Sequence, residues 1–304
     1  MKKILNIILT NKDIYEMFKI DFTYHSSLIE GSKITRQENT KLIKTPFDKK
    51  LISLELKTYQ HDEVYENRNL GLVFDKMIST LFEPLNKQML CEWFKLLKQE
   101  TYWANNHVHA VGQYRKENVE VGDSENFALS CQYVEEHMIN FINDFNYKRK
   151  MTIDDVCEFH CRFERIHPFL DGNGRIGRLI MLKQCLMNNV TPFLINNETR
   201  NEYINSLKLY QQTGFSSFLV EYCKKLQTQF LIKYESRFNV EQNDRQLQII
   251  NFIKQHGFIK RIDVQDLFNI SSTPAKALIK KLILKKVLQA KNEGKLTIYV
   301  LNKC

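Results

Sequence analysis

Apolar residues at helical spacing are the feature that most narrows what this chain can become. The segments RNLGLVFDKMISTLF (68–82), NKQMLCEWFKLLKQ (86–99), FALSCQYVEEHMINFINDF (127–145) and IDDVCEFHCRFERI (153–166) each carry apolar groups at i, i+3, i+4 and i+7, which gives every helix one stripe to bury. Only 10 glycines and 5 prolines interrupt 304 residues, so a mainly α fold is expected. Thr152 followed by Asp155 suits a capping box at the start of the last segment. One stretch departs from the pattern. HVHAVGQYRKENVEVGD (107–123) alternates between turn residues and reads as a β-hairpin, with His107 and His109 as structural strand residues.

The polar run ESRFNVEQNDRQ (235–246) marks a linker, so the expected division is a helical domain over 1–235 and a small unit over 243–304. In the small unit, LQIINFIKQHG ends a helix at Gly257, IDVQDLF is a short helix, and TPAKALIKKLILKK tolerates Pro274 in its first turn. VLQAKNEGKLTIYVL then reads as two strands around a turn. Helices and a hairpin in this order resemble a winged helix-turn-helix. The chain's net charge is +9. From Glu241 onward there are 12 Lys/Arg against 5 Asp/Glu, a net of +7, which suits either DNA phosphates or a protein partner. The basic helix TPAKALIKKLILKK itself lacks the Arg, Asn or Gln that read base edges. Six of the seven cysteines lie in apolar segments, as free thiols do in a reducing compartment. Cys157, His160 and Cys161 share a helix without a second ligand pair, so they read as core. The N-terminal apolar run is short and interrupted by Asn6, and no segment approaches a membrane span; a cytoplasmic protein is expected.

The stretch IHPFLDGNGRIGR (166–178) has no use in a core. Pro168 ends the preceding helix. Gly172-Asn173-Gly174 leads into RIGRLIMLKQCLM, a good helix, and a glycine turn entering a helix N-terminus offers free N–H groups and the positive end of the dipole to an anion. Arg175 and Arg178, at i and i+3, present guanidinium forks that suit phosphate oxygens. Asp171 beside them is the kind of carboxylate that shares Mg²⁺ with phosphates, and His167 can serve as a general base. Together they describe attack of a hydroxyl on a nucleotide phosphate. No G-x-x-x-x-G-K-[ST] loop is present.

These residues resemble the Fic family motif, H-P-F-x-[DE]-G-N-[GK]-R-x-x-R, at every position. The resemblance implies a helical Fic domain, with its core over about 70–215, that transfers AMP from ATP to a Tyr, Thr or Ser hydroxyl of a target protein or of itself. It implies that His167 deprotonates the hydroxyl and that Asp171 binds Mg²⁺ (or Mn²⁺) on the α- and β-phosphates. Gly172, Asn173 and Gly174 would form the anion hole, Arg175 would hold the phosphates and Arg178 the γ-phosphate, while Phe169 would anchor the loop. Relatives that phosphorylate carry Lys at position 174, so Gly174 favours AMP transfer. The hairpin over 111–122 resembles the family's flap, which would pair with an extended target segment. NNETRNEYINSLKLYQQ is similar to the segment that lines the adenine pocket, with Tyr203 and then Gln211 as candidates.

YHSSLIEGSKIT (24–35) places Ser26 and Glu30 at i, i+4 before Gly31, which can end a helix. It resembles the family's inhibitory helix, expected over about 20–31, whose glutamate pairs with the second motif arginine, here Arg178, and competes with ATP for its fork. Two alternatives stand beside a self-inhibited transferase: removal of AMP at the same site, with Glu30 orienting a water, and a DNA-binding regulator led by the C-terminal unit. A homodimer is compatible with either.

Overall fold

The computed structural model describes residues 5, 8–9, 11–45, 59–120, 128–148, 150–284, 287–293 and 296–302, without the side chains of 235–244, 247, 293 and 296. The chain divides into two compact units, 1–230 and 231–304.

The first unit is helical. Helix α1 (Lys12–Ile29) is capped by Asn11, whose side chain accepts from Ile14 N at 2.9 Å. It stops where Gly31, at φ +94°, turns the backbone left-handed, and the N–H groups of Glu30, Gly31 and Ser32 return to Ser27 and Leu28 carbonyls, closing the helix end. Helix α2 (Arg36–Lys44) opens with a Thr35/Glu38 capping box. Then come α3 (His61–Ser79), α4 (Lys87–Leu97), the short α5 (Tyr102–Asn106) and α6 (Val134–Tyr147). Helix α7 (Ile153–Ile166) begins with the Thr152/Asp155 capping box.

Helix α8 (Asn173–Asn188) is the centre of the unit, because every residue from Arg175 to Leu186 along it is buried. A helix covered on all sides needs an apolar run rather than a stripe, which RLIMLKQCLM supplies. Its one interior ammonium, Lys183, donates to the Thr80 and Leu81 carbonyls at 2.7 and 2.6 Å. Behind α7 and α8, α9 (Arg200–Thr213) and the start of α10 (Ser217–His256) enclose a core of Val156, Cys157, Met181, Cys185, Tyr203 and Leu219. Each fully buried Leu or Phe there contributes about 2–3 kcal/mol.

The second unit contains the end of α10, α11 (Arg261–Phe268), α12 (Ser272–Leu284) and two antiparallel strands, β1 (Leu288–Glu293) and β2 (Leu296–Leu301), paired in register from Leu288 opposite Leu301 to Glu293 opposite Leu296. Ile249, Ile253, Ile259, Val264, Ala275, Ile279, Leu282 and Leu288 form its core.

Three expectations are corrected. Residues 107–120 carry no strand; Ala110 N and Gln113 N close turns on His107 and Ala110 carbonyls, and Arg115 N donates to Pro168 O at 2.8 Å. The segment's hydrogen bonds thus go to the neighbouring loop and not to a hairpin partner; positions 121–122 of the expected 111–122 flap lie outside the described residues. The polar run 235–246 is helical backbone within α10 and not an irregular linker. Finally, the third apolar segment becomes α-helical only at Val134, because Leu129 N donates to Arg165 O at 3.0 Å and Cys131 N to Asn118 Oδ1 at 2.9 Å.

Candidate active site

Helix α7 ends at His167, which takes a left-handed conformation at φ +50° and returns its N–H to Phe163 O at 2.8 Å. The loop then dives inward. Phe169 is fully buried and stacks on Phe94 with centroids 4.4 Å apart. Asn173 fixes the loop from within: its Oδ1 accepts from Phe169 N at 2.9 Å and its Nδ2 donates to Phe169 O at 2.8 Å. Its side chain is therefore a staple, and what it can offer an anion is its backbone N–H. Gly172, at φ +76°, is the N-cap of α8, so the first N–H groups of a well-packed helix point out of the loop.

Around that N-terminus runs a ring of alternating charges. Asp171 Oδ2 and Glu66 Oε1 both accept from the Lys98 ammonium, and Glu66 Oε2 accepts from Arg175 Nη1. Arg175 Nη2 closes the ring, 3.5 Å from Asp171 Oδ1. Burial alone would raise the Asp171 carboxyl, but Lys98 and Arg175 outweigh it and hold it near about 2. The side chains of Lys98 and Arg175 are buried and that of Glu66 is mostly so, whereas that of Asp171 is 41% exposed. Arg175 Nε is buried with no acceptor, a donor in reserve for a phosphate oxygen. Among the described residues no group of three His, Cys, Asp or Glu forms a metal cage. A single ionised, half-open carboxylate fits instead a hard divalent ion that takes its other ligands from phosphates and water.

One turn further along α8, Arg178 reaches α1. Its Nε donates to Ser26 Oγ at 2.9 Å, and its Nη2 donates to Ser26 O at 2.9 Å and to Glu30 Oε1 at 2.6 Å. Burial pushes the Glu30 carboxyl up, but the charges of Arg178 and Arg175 prevail and keep it below the usual range. A Cβ on Gly174 would overlap Glu30 Oε1; the glycine leaves the space that the carboxylate fills, directly over the helix N-terminus. Arg200 anchors α1 from α9, its Nε donating to Ile29 O at 2.7 Å.

His167 lies beside this arrangement with Nδ1 3.2 Å from Glu164 O. That contact places the proton on Nδ1 and leaves the Nε2 lone pair free. Burial, opposed by the Glu164 carbonyl, lowers the imidazole to about 4, so it is neutral at pH 7. Arg115, buried, clamps the turn: Nε donates to His167 O at 2.7 Å and Nη2 to Ile166 O at 3.3 Å, while Nη1 ties it to Glu117 O at 2.8 Å in its own segment. Beneath His167 is a second carboxyl, Glu164, whose Oε2 is 3.8 Å from His167 Nδ1 and whose Oε1 is 3.8 Å from His160 Nε2. Burial raises Glu164 to about 8, against the pull of Arg178. A Cβ on Gly177 would come within 2.6 Å of Glu164 Oε1, so glycine there lets α8 approach the pair.

His167, Asp171, Gly172, Asn173, Gly174, Arg175 and Arg178 thus converge on one helix N-terminus, and Ser26 and Glu30 join them from 152 and 148 residues away. Gly31 shapes the end of α1 and touches nothing within 4 Å of its would-be Cβ. Tyr203 is 1% exposed, its hydroxyl 2.7 Å from His160 Nε2; it underlies the motif as a core residue, 6.0 Å from the Arg178 guanidinium. Gln211 Oε1 is buried without a partner. Sequence reading missed Glu66, Lys98, Arg115 and Glu164.

Fold and site together give a helical domain that gathers a helix N-terminus and two arginines at one place. Residues 84–185 match the model of the Fic/DOC family. Over 211 residues it is 25% identical to a protein of Drosophila yakuba named protein adenylyltransferase Fic, covering 64% of this chain and 38% of that protein. The equivalent from Nematostella vectensis is 26% identical over 190 residues, 60% of this chain and 41% of its own length. The chain thus spans about two fifths of these curated relatives. A Fic domain-containing signaling protein of Bacteroides thetaiotaomicron superposes with a TM-score of 0.58 at 20% identity, covering 72% of this chain and 86% of that one. A Fic family protein of Desulfovibrio desulfuricans superposes at 0.57 and 18% identity, covering 98% and 90%. No helix of the described residues is long and apolar enough to cross a membrane.

Proposed function

We propose that this protein is a self-inhibited protein adenylyltransferase that moves AMP from ATP to a hydroxyl of a protein. The observation that carries the reading is the Glu30 carboxylate, seated on Arg178 and over Gly174: an anion already occupies a phosphate cradle whose neighbouring histidine is neutral and has a free Nε2. With Glu30 withdrawn, the α8 N–H groups, Arg175 and Arg178 bind the triphosphate and turn the α-phosphate towards His167. His167 Nε2 takes the proton of the target hydroxyl as its oxygen attacks the α-phosphorus. The bond from that phosphorus to the bridging oxygen breaks, and pyrophosphate leaves with the electron pair. Asp171 is the residue that would hold Mg²⁺ or Mn²⁺, which when bound supplies positive charge to the phosphate oxygens. Arg115 and Asn173 keep the loop in place while this happens. Residues 243–304 are read as a winged helix-turn-helix that contacts DNA or a protein through its basic helix.

Wild type, Glu30→Gly and Glu30→Gly/His167→Ala, each incubated with Mg²⁺ and α-phosphate-labelled ATP in a lysate, test this. Label on protein with Glu30→Gly, weak with wild type and absent from the double variant is expected. Equal transfer by wild type and Glu30→Gly sinks the inhibition, and label with no variant sinks the transferase in favour of AMP removal or DNA-linked regulation.

A further inference from the structure

Lys98 does something unusual for its residue type. It is fully buried, a place where lysine occurs only when paired, yet one of its two carboxylate partners, Asp171, opens onto the phosphate site. The side chain leaves the C-terminal end of α4 and passes the Trp103 ring, 4.6 Å from Nζ to centroid. Thr101 caps the Lys98 carbonyl at 2.7 Å, and Asn69 Nδ2 holds the flanking Leu97 and Gln99 carbonyls at 3.2 and 2.7 Å. A lysine needed only for packing would not require a second cation nearby. Here Arg175 already pairs with Glu66 and lies close to Asp171, so Lys98 brings the ring to charge balance: two carboxylates, two cations.

We propose that Lys98 is a positioning cation of the phosphate site, whose ammonium competes with a divalent ion for Asp171 and replaces part of that ion's charge when none is bound. The inference rests on the nucleotide-binding reading above. Its physical basis is sign. An ammonium on Asp171 Oδ2 repels a second cation from the same oxygen, and at this burial the repulsion is only weakly screened. The same ammonium, behind the carboxylate that opens onto the phosphate site, attracts an incoming triphosphate without help from metal. Removing Lys98 therefore moves two affinities in opposite directions, which loss of a merely structural residue does not do.

The test uses the full chain in a Glu30→Gly background, so that Arg178 is free. Three readouts are taken: Mn²⁺ binding by electron paramagnetic resonance without nucleotide, affinity for a fluorescent ATP analogue in EDTA and in saturating Mg²⁺, and the thermal midpoint. Lys98→Met is expected to bind Mn²⁺ roughly tenfold tighter and the metal-free analogue about tenfold weaker, with less than about a threefold change in Mg²⁺; Lys98→Arg stays near the parent. Unchanged or weaker Mn²⁺ binding, or an equal loss of analogue with and without metal, overturns the proposal. Should Lys98→Met not fold, Glu66→Gln carries the test with opposite sign, because the ammonium then rests on Asp171 alone; Mn²⁺ binding severalfold weaker supports the proposal, and unchanged or tighter binding defeats it. A parent that binds no analogue in either condition defeats the transferase reading as well, whereas a parent that binds while Lys98→Met matches it defeats this inference alone.

Discussion

Glu30 Oε1 lies 2.6 Å from Arg178 Nη2 and fills the space where a Cβ of residue 174 would stand. Position 174 is thus coupled to position 30 by volume as well as by shared chemistry. Gly174→Ala should unseat Glu30 without touching its charge, at a cost of about 1.5–3 kcal/mol for the lost charge-assisted hydrogen bond. The expected result is faster amide exchange over residues 26–31 and a lower thermal midpoint. Unaltered exchange there means that Glu30 does not need the room the glycine provides.

If His167 is the base of the proposed transfer, its imidazole, lowered to about 4 chiefly by burial, sets the acid limb of that reaction. A base acts only when neutral, and the neutral fraction rises with pH through the pKa. Transfer by Glu30→Gly should therefore climb near pH 4 and be level from about pH 5 to 7, whereas an ordinary histidine would give a limb near 6.5. His167→Ala should lose roughly 10²–10⁴ in rate. A limb near 6.5 in the pH profile contradicts the buried environment described above.

What the sequence disclosed and what it hid divide along one physical line. The motif 166–178 and the Ser26/Glu30 spacing were legible because they resemble the Fic motif and the family's inhibitory helix; local backbone geometry, a glycine turn into a helix or a helix running into glycine, accounts only for the glycines. Glu66, Lys98, Arg115 and Glu164 were not, because each sits in a helical or turn segment where a charged residue reads as solvated. Their burial comes from partners far away along the chain, 109 residues in the case of Glu66 and Arg175. The 107–120 segment misled for a related reason. Its alternation is real, but Arg115 spends its hydrogen bonds on the His167–Pro168 turn, and no local pattern announces that.

Arg115 is the residue by which that turn is held, through its backbone N–H and two side-chain nitrogens, Nε and Nη2. Arg115→Met should leave the His167 and Ile166 carbonyls unpaired in a buried place, destabilising the domain by about 2–4 kcal/mol. Because Arg175 and Arg178, the arginines proposed to bind phosphate, are untouched, nucleotide affinity should change by less than about threefold while the transfer rate falls by about tenfold or more. A parallel loss of affinity and rate would mean that Arg115 supports the whole cradle and not the base alone.

Glu164 gives the chain a pH dependence of stability independent of turnover. Burial raises its carboxyl to about 8, whereas in the unfolded chain it ionises near 4.5. Between those values the folded state holds a proton that the unfolded state has released, so stability falls as pH rises from about 4.5 to 8. Below that window both states are protonated and the penalty vanishes. Glu164→Gln keeps the shape and removes the proton equilibrium. Its thermal midpoint relative to wild type should therefore move upward with pH, by an amount worth at most on the order of 4 kcal/mol between pH 5 and 8. A neutral Glu164 also leaves Arg178 free of a second buried anion and His167 free of a competing base 3.8 Å away. A midpoint difference that is the same at pH 5 and pH 8 would place Glu164 in its ionised form throughout, and would then require Arg178 to be shared between two carboxylates, Glu30 and Glu164.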